Sequence, residues 1–89
     1  MIPIGDILIT QRNLKRASQI SGLLFSYKEG LEVPKIKICL DEDDNFCVHD
    51  GHHRLFAIYS LGFSHLTTSE YEFVNLPARP TFGRIKDLK

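Results

Sequence analysis

The residues best suited to chemistry stand together as Asp50-Gly51-His52-His53-Arg54, just after the apolar-rich stretch Cys47-Val48. A strand that ends at a glycine and passes directly into a helix leaves the first helical N–H groups without main-chain acceptors. Gly51 has no Cβ to hold a ligand away, and His52, His53 and Arg54 add side-chain donors at the positive end of the helix dipole. This pattern predicts an anion site, with phosphate as its guest. Arg54 can grip phosphate oxygens in bidentate fashion. Asp50 has two readings, a general base or magnesium ligand beside the phosphate, or a cap on the helix through the N–H groups of His52 or His53. His52 and His53 are candidates for proton transfer.

A metal cluster of His49, His52 and His53 is disfavoured, because neighbouring residues on a helix diverge by about 100° and cannot all meet one ion. A contiguous Asp-His-His phosphodiesterase pattern is absent, since Gly51 intervenes. Asp41-Glu42-Asp43-Asp44-Asn45 has the acidity of a calcium loop, but Phe46 stands where the sixth-position glycine belongs and His52 where the twelfth-position glutamate belongs. The segment reads as a solvated hairpin turn.

The elements that must position this motif follow from periodicity. Ile2, Ile4 and Ile7–Ile9 suggest a first strand bent near Gly5. The polar link Thr10–Asn13 leads to a helix capped by Asn13 and running from Leu14, with Ala17, Ile20, Leu23, Leu24 and Tyr27 inward and Lys15, Arg16, Gln19 and Lys28 in water. Gly30 ends it, and Gly22 inside it marks a weakness, a break or close packing. Ile36, Ile38 and Leu40 alternate as a half-buried strand, paired through the acidic loop with Phe46–Val48. Symmetric pairing sets Cys39 opposite Cys47, where a cross-strand disulfide is geometrically feasible, but in a cytosolic chain two reduced, half-buried thiols are the favoured reading. A second helix spans Gly51–Leu61 and stops at Gly62. Leu66–Thr68 and Tyr71–Val74 complete the strands. The expected fold class is α+β, a small mixed sheet with two main helices. Residues 1–76 form the domain, and residues 77–89 an irregular basic tail.

With these elements in place, Asp50-Gly51-His52-His53-Arg54-Leu55-Phe56-Ala57 resembles the Gly-x-x-Arg-x-x-Ala signature of the ParB/sulfiredoxin superfamily. The Asp-Gly-His-His-Arg form is similar to its ParB-like nuclease branch and to the related free-serine kinases. The stretch Ile9–Gln11 and the hairpin before the motif fit the same pattern. The resemblance implies a ParB/sulfiredoxin-like fold and binding of a nucleoside triphosphate, ATP or another, at Gly51, His52, His53 and Arg54, with magnesium as companion ion. With the first strand beside the third, as the resemblance implies, Thr10 and Gln11 reach the same cleft; otherwise they only begin the first helix.

Departures from the family pattern narrow the activity. Sulfiredoxins carry a catalytic cysteine at the position of His52, so sulfinic acid reduction is not expected. Chromosome-partition ParB proteins continue into helix-turn-helix and dimerisation regions that these residues do not contain, so centromere binding is not expected. The serine kinases use a glutamate near the first helix start, where this chain has Thr10-Gln11-Arg12-Asn13.

Three function classes remain. The first is nucleotide hydrolysis or phosphoryl transfer, with Gly51, His52, His53 and Arg54 on the phosphates, His52 or His53 adjusting protons and Asp50 orienting magnesium or the nucleophile. The second is nuclease action on phosphodiesters, with the histidines as acid and base. The third is a non-catalytic, nucleotide-responsive or partner-binding module.

Composition sets limits. At 89 residues the chain is one domain, burying about 60–65% of its unfolded surface. Eleven basic and eleven acidic residues balance, which argues against a surface that tracks nucleic acid throughout, though Arg79, Arg84, Lys86 and Lys89 could form a local track. No apolar run is long enough to span a membrane, and the expected location is the cytoplasm. The small size is compatible with a homodimer or a protein partner.

Overall fold

A computed structural model describes residues 1–11, 13–14, 16 and 18–87. The roles expected of Arg12, Lys15, Ala17 and Lys89 lie outside the described residues. The chain forms an α+β domain with strands β1 (Ile2–Pro3), β2 (Ile36–Leu40), β3 (Phe46–Asp50), β4 (His65–Leu66) and β5 (Tyr71–Phe73), and helices α1 (Gln19–Lys28) and α2 (His52–Ser60). β1 and β4 pair antiparallel as a separate two-stranded sheet. The other sheet has the order β3-β2-β5 and is mixed, with β2 antiparallel to β3 and parallel to β5.

The hairpin register follows its sequence pattern. Ile38 faces Val48 and Leu40 faces Phe46 on the core side, while Cys39 faces Cys47 on the other. Both cysteines are free, buried thiols. Burial pushes the Cys47 thiol up to about 11 and raises Cys39 as well, so neither is a reactive thiolate. The acidic loop closes as an Asx turn, in which Asp41 Oδ1 accepts from the N–H groups of Asp43 and Asn45 at 2.8 Å each.

The register slips between Lys37 and Ile38, leaving His49 as the extra residue of a β-bulge. A bulge turns the strand, and here it sits two residues before Gly51. His49 Nδ1 is buried with no hydrogen-bond partner among the described residues.

The core joins Ile4, Ile7, Ile9, Ile36, Ile38, Val48, Leu55 and Ile58 with other buried residues. α2 contributes Leu55 and Ile58 at helical spacing. Each helix ends at the expected glycine: Gly30 and Gly62 have φ of 69° and 89°. The next N–H reaches back to the last turn, Leu31 to Ser26 O and Phe63 to Ile58 O, as in a Schellman motif.

Several expectations are corrected. The bend near Gly5 is present, but as a 3-10 turn over Ile4–Asp6 that ends the first strand at Pro3; Leu8 then bridges Cys47 in parallel and Arg84 in antiparallel fashion. The first helix begins at Gln19 with Ser18 at its cap position, not at Leu14 behind Asn13. The N–H of Arg16 is engaged by His53, and Arg16 O accepts from Gln19 N–H, forming a turn before the helix. α1 has no fully buried residue; its apolar stripe is half-buried, and the helix packs chiefly on α2. Gly22 produces neither break nor close packing: α1 runs through it, and a Cβ there would meet nothing within 4 Å.

The segment beyond residue 76 is irregular up to the short turn Ile85–Asp87, and it is fastened to the domain. Ile9 N–H donates to Gly83 O, Phe82 N–H donates to Ile9 O, and Ile85 lies in the core. Residues 82–85 therefore close the same core as residues 1–76.

Candidate functional site

The bulge at His49 delivers the chain into Gly51, which has φ of 111° and serves as the N-terminal cap residue of α2. An L side chain is strained at that φ, and a Cβ would also stand 3.2 Å from the Arg54 guanidinium. Gly51 O accepts from Leu55 N–H to start the helix, and no side chain caps it. Asp50 is thus not the helix cap. Its carboxylate is exposed and pairs with Arg54 Nη2 at 3.5 Å.

The helix start opens into a cavity of about 440 Å³ walled by Gly51, His52, His53 and Arg54 on one side and by Gln11, Arg16 and Gln19 on the other. Asp50, Leu23 and Pro34 complete it. The expected constellation is therefore brought together. Thr10 is adjacent but contributes through His52: its main-chain N–H donates to His52 Nε2 at 2.9 Å, while its hydroxyl donates to Val48 O at 2.7 Å. Gln11 lines the cavity, with its amide nitrogen donating to Asn13 O at 2.8 Å.

Both motif histidines use their Nε2 lone pairs as acceptors. His53 Nε2 takes the N–H of Arg16 at 2.9 Å, the counterpart of the His52 bond to Thr10. A ring nitrogen accepting from an amide carries no proton, so in the neutral imidazole Nδ1 is the donor. His52 is 5% exposed. Burial, and next the neighbouring His53, push its pKa down to about 4, so it is neutral at pH 7. Each histidine thus ties the chain before α1 to the start of α2, and its accepting nitrogen is not free to take a proton from a nucleophile.

Arg54 is likewise partly engaged. Its Nη1 donates to Pro34 O at 2.9 Å and Lys35 O at 2.8 Å, fastening α2 to the entry of β2. Nε and Nη2 lie beside Gly51, and Nη2 also pairs with Asp50, the surface ion pair that is the alternative reading of this arginine. Arg16 faces water as the helical periodicity predicts and also lines the cavity, and its side chain forms no ion pair among the described residues. Its place depends on a contact between residues 37 apart in sequence, for which local periodicity carries no signal.

Among the described residues no group of three or more His, Cys, Asp or Glu could hold a metal ion, and no helix is long and apolar enough to cross a membrane. A larger cavity, about 610 Å³, lies elsewhere, between the acidic turn and residues 77–81. It contains none of the motif residues. Comparison with known proteins returns no matching family model, no matching curated protein and no matching solved structure.

Proposed function

We propose that this chain is a ParB/sulfiredoxin-like domain that binds the phosphates of a nucleotide, ATP or another triphosphate, at the start of α2. The observation that carries the reading is the uncapped N-terminus of α2 facing a cavity that Arg16 also lines, with no ion-pair partner for its side chain among the described residues. Oriented main-chain N–H groups, the dipole and a guanidinium together favour a multiply charged anion. A cavity of about 440 Å³ falls in the range of small-molecule sites.

The N–H groups of His52, His53 and Arg54 hold the phosphate in this reading, with Arg16 and the Arg54 edge that pairs with Asp50 above it. His52 and His53 act as positioning residues and supply Nδ1–H donors. Asp50, exposed at the rim, is the one motif carboxylate able to orient magnesium or a nucleophile. Magnesium would accompany the nucleotide and neutralise phosphate charge. Hydrolysis or phosphoryl transfer would therefore depend on Asp50.

The engagement of Nε2 in both His52 and His53 favours a second reading, a nucleotide-responsive module without turnover. It also disfavours nuclease action, which would need a free histidine base. The two buried thiols suit a reducing compartment, and we place the chain in the cytoplasm.

The test is a thermal shift with ATP, ADP, CTP and GTP, with and without magnesium, on wild type and Arg16→Ala, followed by phosphate-release assays on Asp50→Asn. Triphosphate-dependent stabilisation reduced in Arg16→Ala supports the site. Magnesium-dependent release lost in Asp50→Asn supports the enzymatic form, and binding without release supports the module. No stabilisation by any nucleotide rejects the nucleotide reading.

A further inference from the structure

The core face of the three-stranded sheet is left uncovered at one end. Ile36, Ile38 and Leu40 alternate onto that face, Phe46 pairs with Leu40 on it, and Phe73 pairs with Ile38 on it. Ile36 and Ile38 are fully buried, whereas Leu40 and Phe73 are 46% and 53% exposed. Leu76 extends the patch at 48% exposure, and a cavity of about 300 Å³ lies among Leu40, Phe73, Val74 and Leu76. The larger cavity shares Leu40 and continues toward Asp41, Glu42 and Asp43. An exposed cluster of this kind, continuous with the core, marks an interaction surface.

The patch borders an open strand edge. β5 is the outermost strand of its sheet. Ile36 N–H donates to Glu70 O and Val74 N–H donates to Ile38 O, so β5 turns the main chain of residues 70, 72 and 74 toward β2. Alternation then turns the N–H and C=O of Phe73 outward, where an added strand can pair. Charge selects the partner. Glu42, Asp43 and Asp44 are exposed, and no ion pair neutralises them among the described residues. Among the described residues, Arg79 is the one cation lining that cavity, against Asp41, Glu42 and Asp43.

We propose that the outer edge of β5, with the Leu40–Phe73–Leu76 patch, receives an extended peptide segment of a partner protein. The segment adds as a strand beside Phe73, seats apolar side chains on the patch and presents lysine or arginine to the Asp41–Asp44 turn. A second copy of this chain is the poorer occupant. The segment a second copy would add, residues 69–76, contains no lysine or arginine to present to the acidic turn, and its Glu72 is already paired with Lys37.

The test is fluorescence anisotropy with a labelled nonapeptide of alternating lysine and valine, beside a control peptide with glutamate in place of lysine. The lysine peptide binds and the glutamate peptide does not. Phe73→Ser, Leu76→Ser and the double variant Glu42→Gln/Asp43→Asn each weaken binding by about tenfold, and added salt weakens it further. Circular dichroism of these surface variants matches wild type. Absence of binding, equal binding of both peptides, or binding unchanged by Phe73→Ser and Leu76→Ser overturns the proposal. A concentration-dependent dimer in sedimentation, dissolved by Phe73→Ser, also overturns it by giving the surface to a second copy.

Discussion

The N–H of Thr10 donates to His52 Nε2 at 2.9 Å and so joins the end of the first extended segment to the first residue of α2. The bond requires an unprotonated ring nitrogen, and burial supplies one by pushing His52 down to about 4. The unfolded chain, with His52 at its ordinary value of about 6.5, binds the extra proton. The contribution is therefore fully present above pH about 6.5 and is lost as pH falls toward 4, with a total of about 3 kcal/mol.

Chemical denaturation between pH 7 and 5 checks this directly. Wild type loses stability over that window, and His52→Gln, which can keep an acceptor near Thr10 without titrating there, shows a flatter profile. Asp41 and Glu72, held below their ordinary values first by hydrogen bonds from Asn45 and Lys37 respectively, lose their contributions only at lower pH. His52→Leu leaves the Thr10 N–H without its acceptor and destabilises by about 1–3 kcal/mol at pH 7.

Gly51→Ala destabilises by about 1–3 kcal/mol, because φ of 111° is strained for alanine and the new methyl crowds the Arg54 guanidinium. Urea denaturation gives the magnitude, and an unchanged midpoint would mean the turn relaxes without cost.

Arg54→Ala removes the donor to Pro34 O and Lys35 O and so lowers stability by about 1–3 kcal/mol even without ligand. Arg16→Ala, at an exposed side chain without an ion pair among the described residues, changes stability by less than about 0.5 kcal/mol. Their melting curves without ligand separate a structural arginine from a ligand-facing one.

Gly22→Ala stabilises by about 1 kcal/mol, since α1 is regular there and the added methyl meets nothing. A rise in the denaturation midpoint at constant slope checks it.

Local chemistry made much of this fold legible. Alternation and the Asx turn set the hairpin register, down to Cys39 opposite Cys47, and Gly30 and Gly62 marked both helix ends. The start of α1 was not legible, because His53, far along the chain, engages the N–H of Arg16. The contribution of residues 82–85 was hidden for the same reason, since their partners Leu8 and Ile9 lie at the opposite end of the chain. At the site, motif spacing gathered Asp50, Gly51, His52, His53 and Arg54, but could not say which donors neighbouring backbone would engage. Arg54 resembles a phosphate ligand in sequence and is half a structural clamp in the fold.

The central claim, a phosphate held by the main chain at the start of α2, is tested most directly by titrating ¹⁵N-labelled protein with ATP and with tripolyphosphate while following amide resonances. The account predicts saturable shifts largest at the amides of His52, His53 and Arg54, with Arg16 and Gln11 responding and the Arg16→Ala variant shifting less. Shifts absent at those amides, or centred instead on the cavity beside the acidic turn, would contradict it.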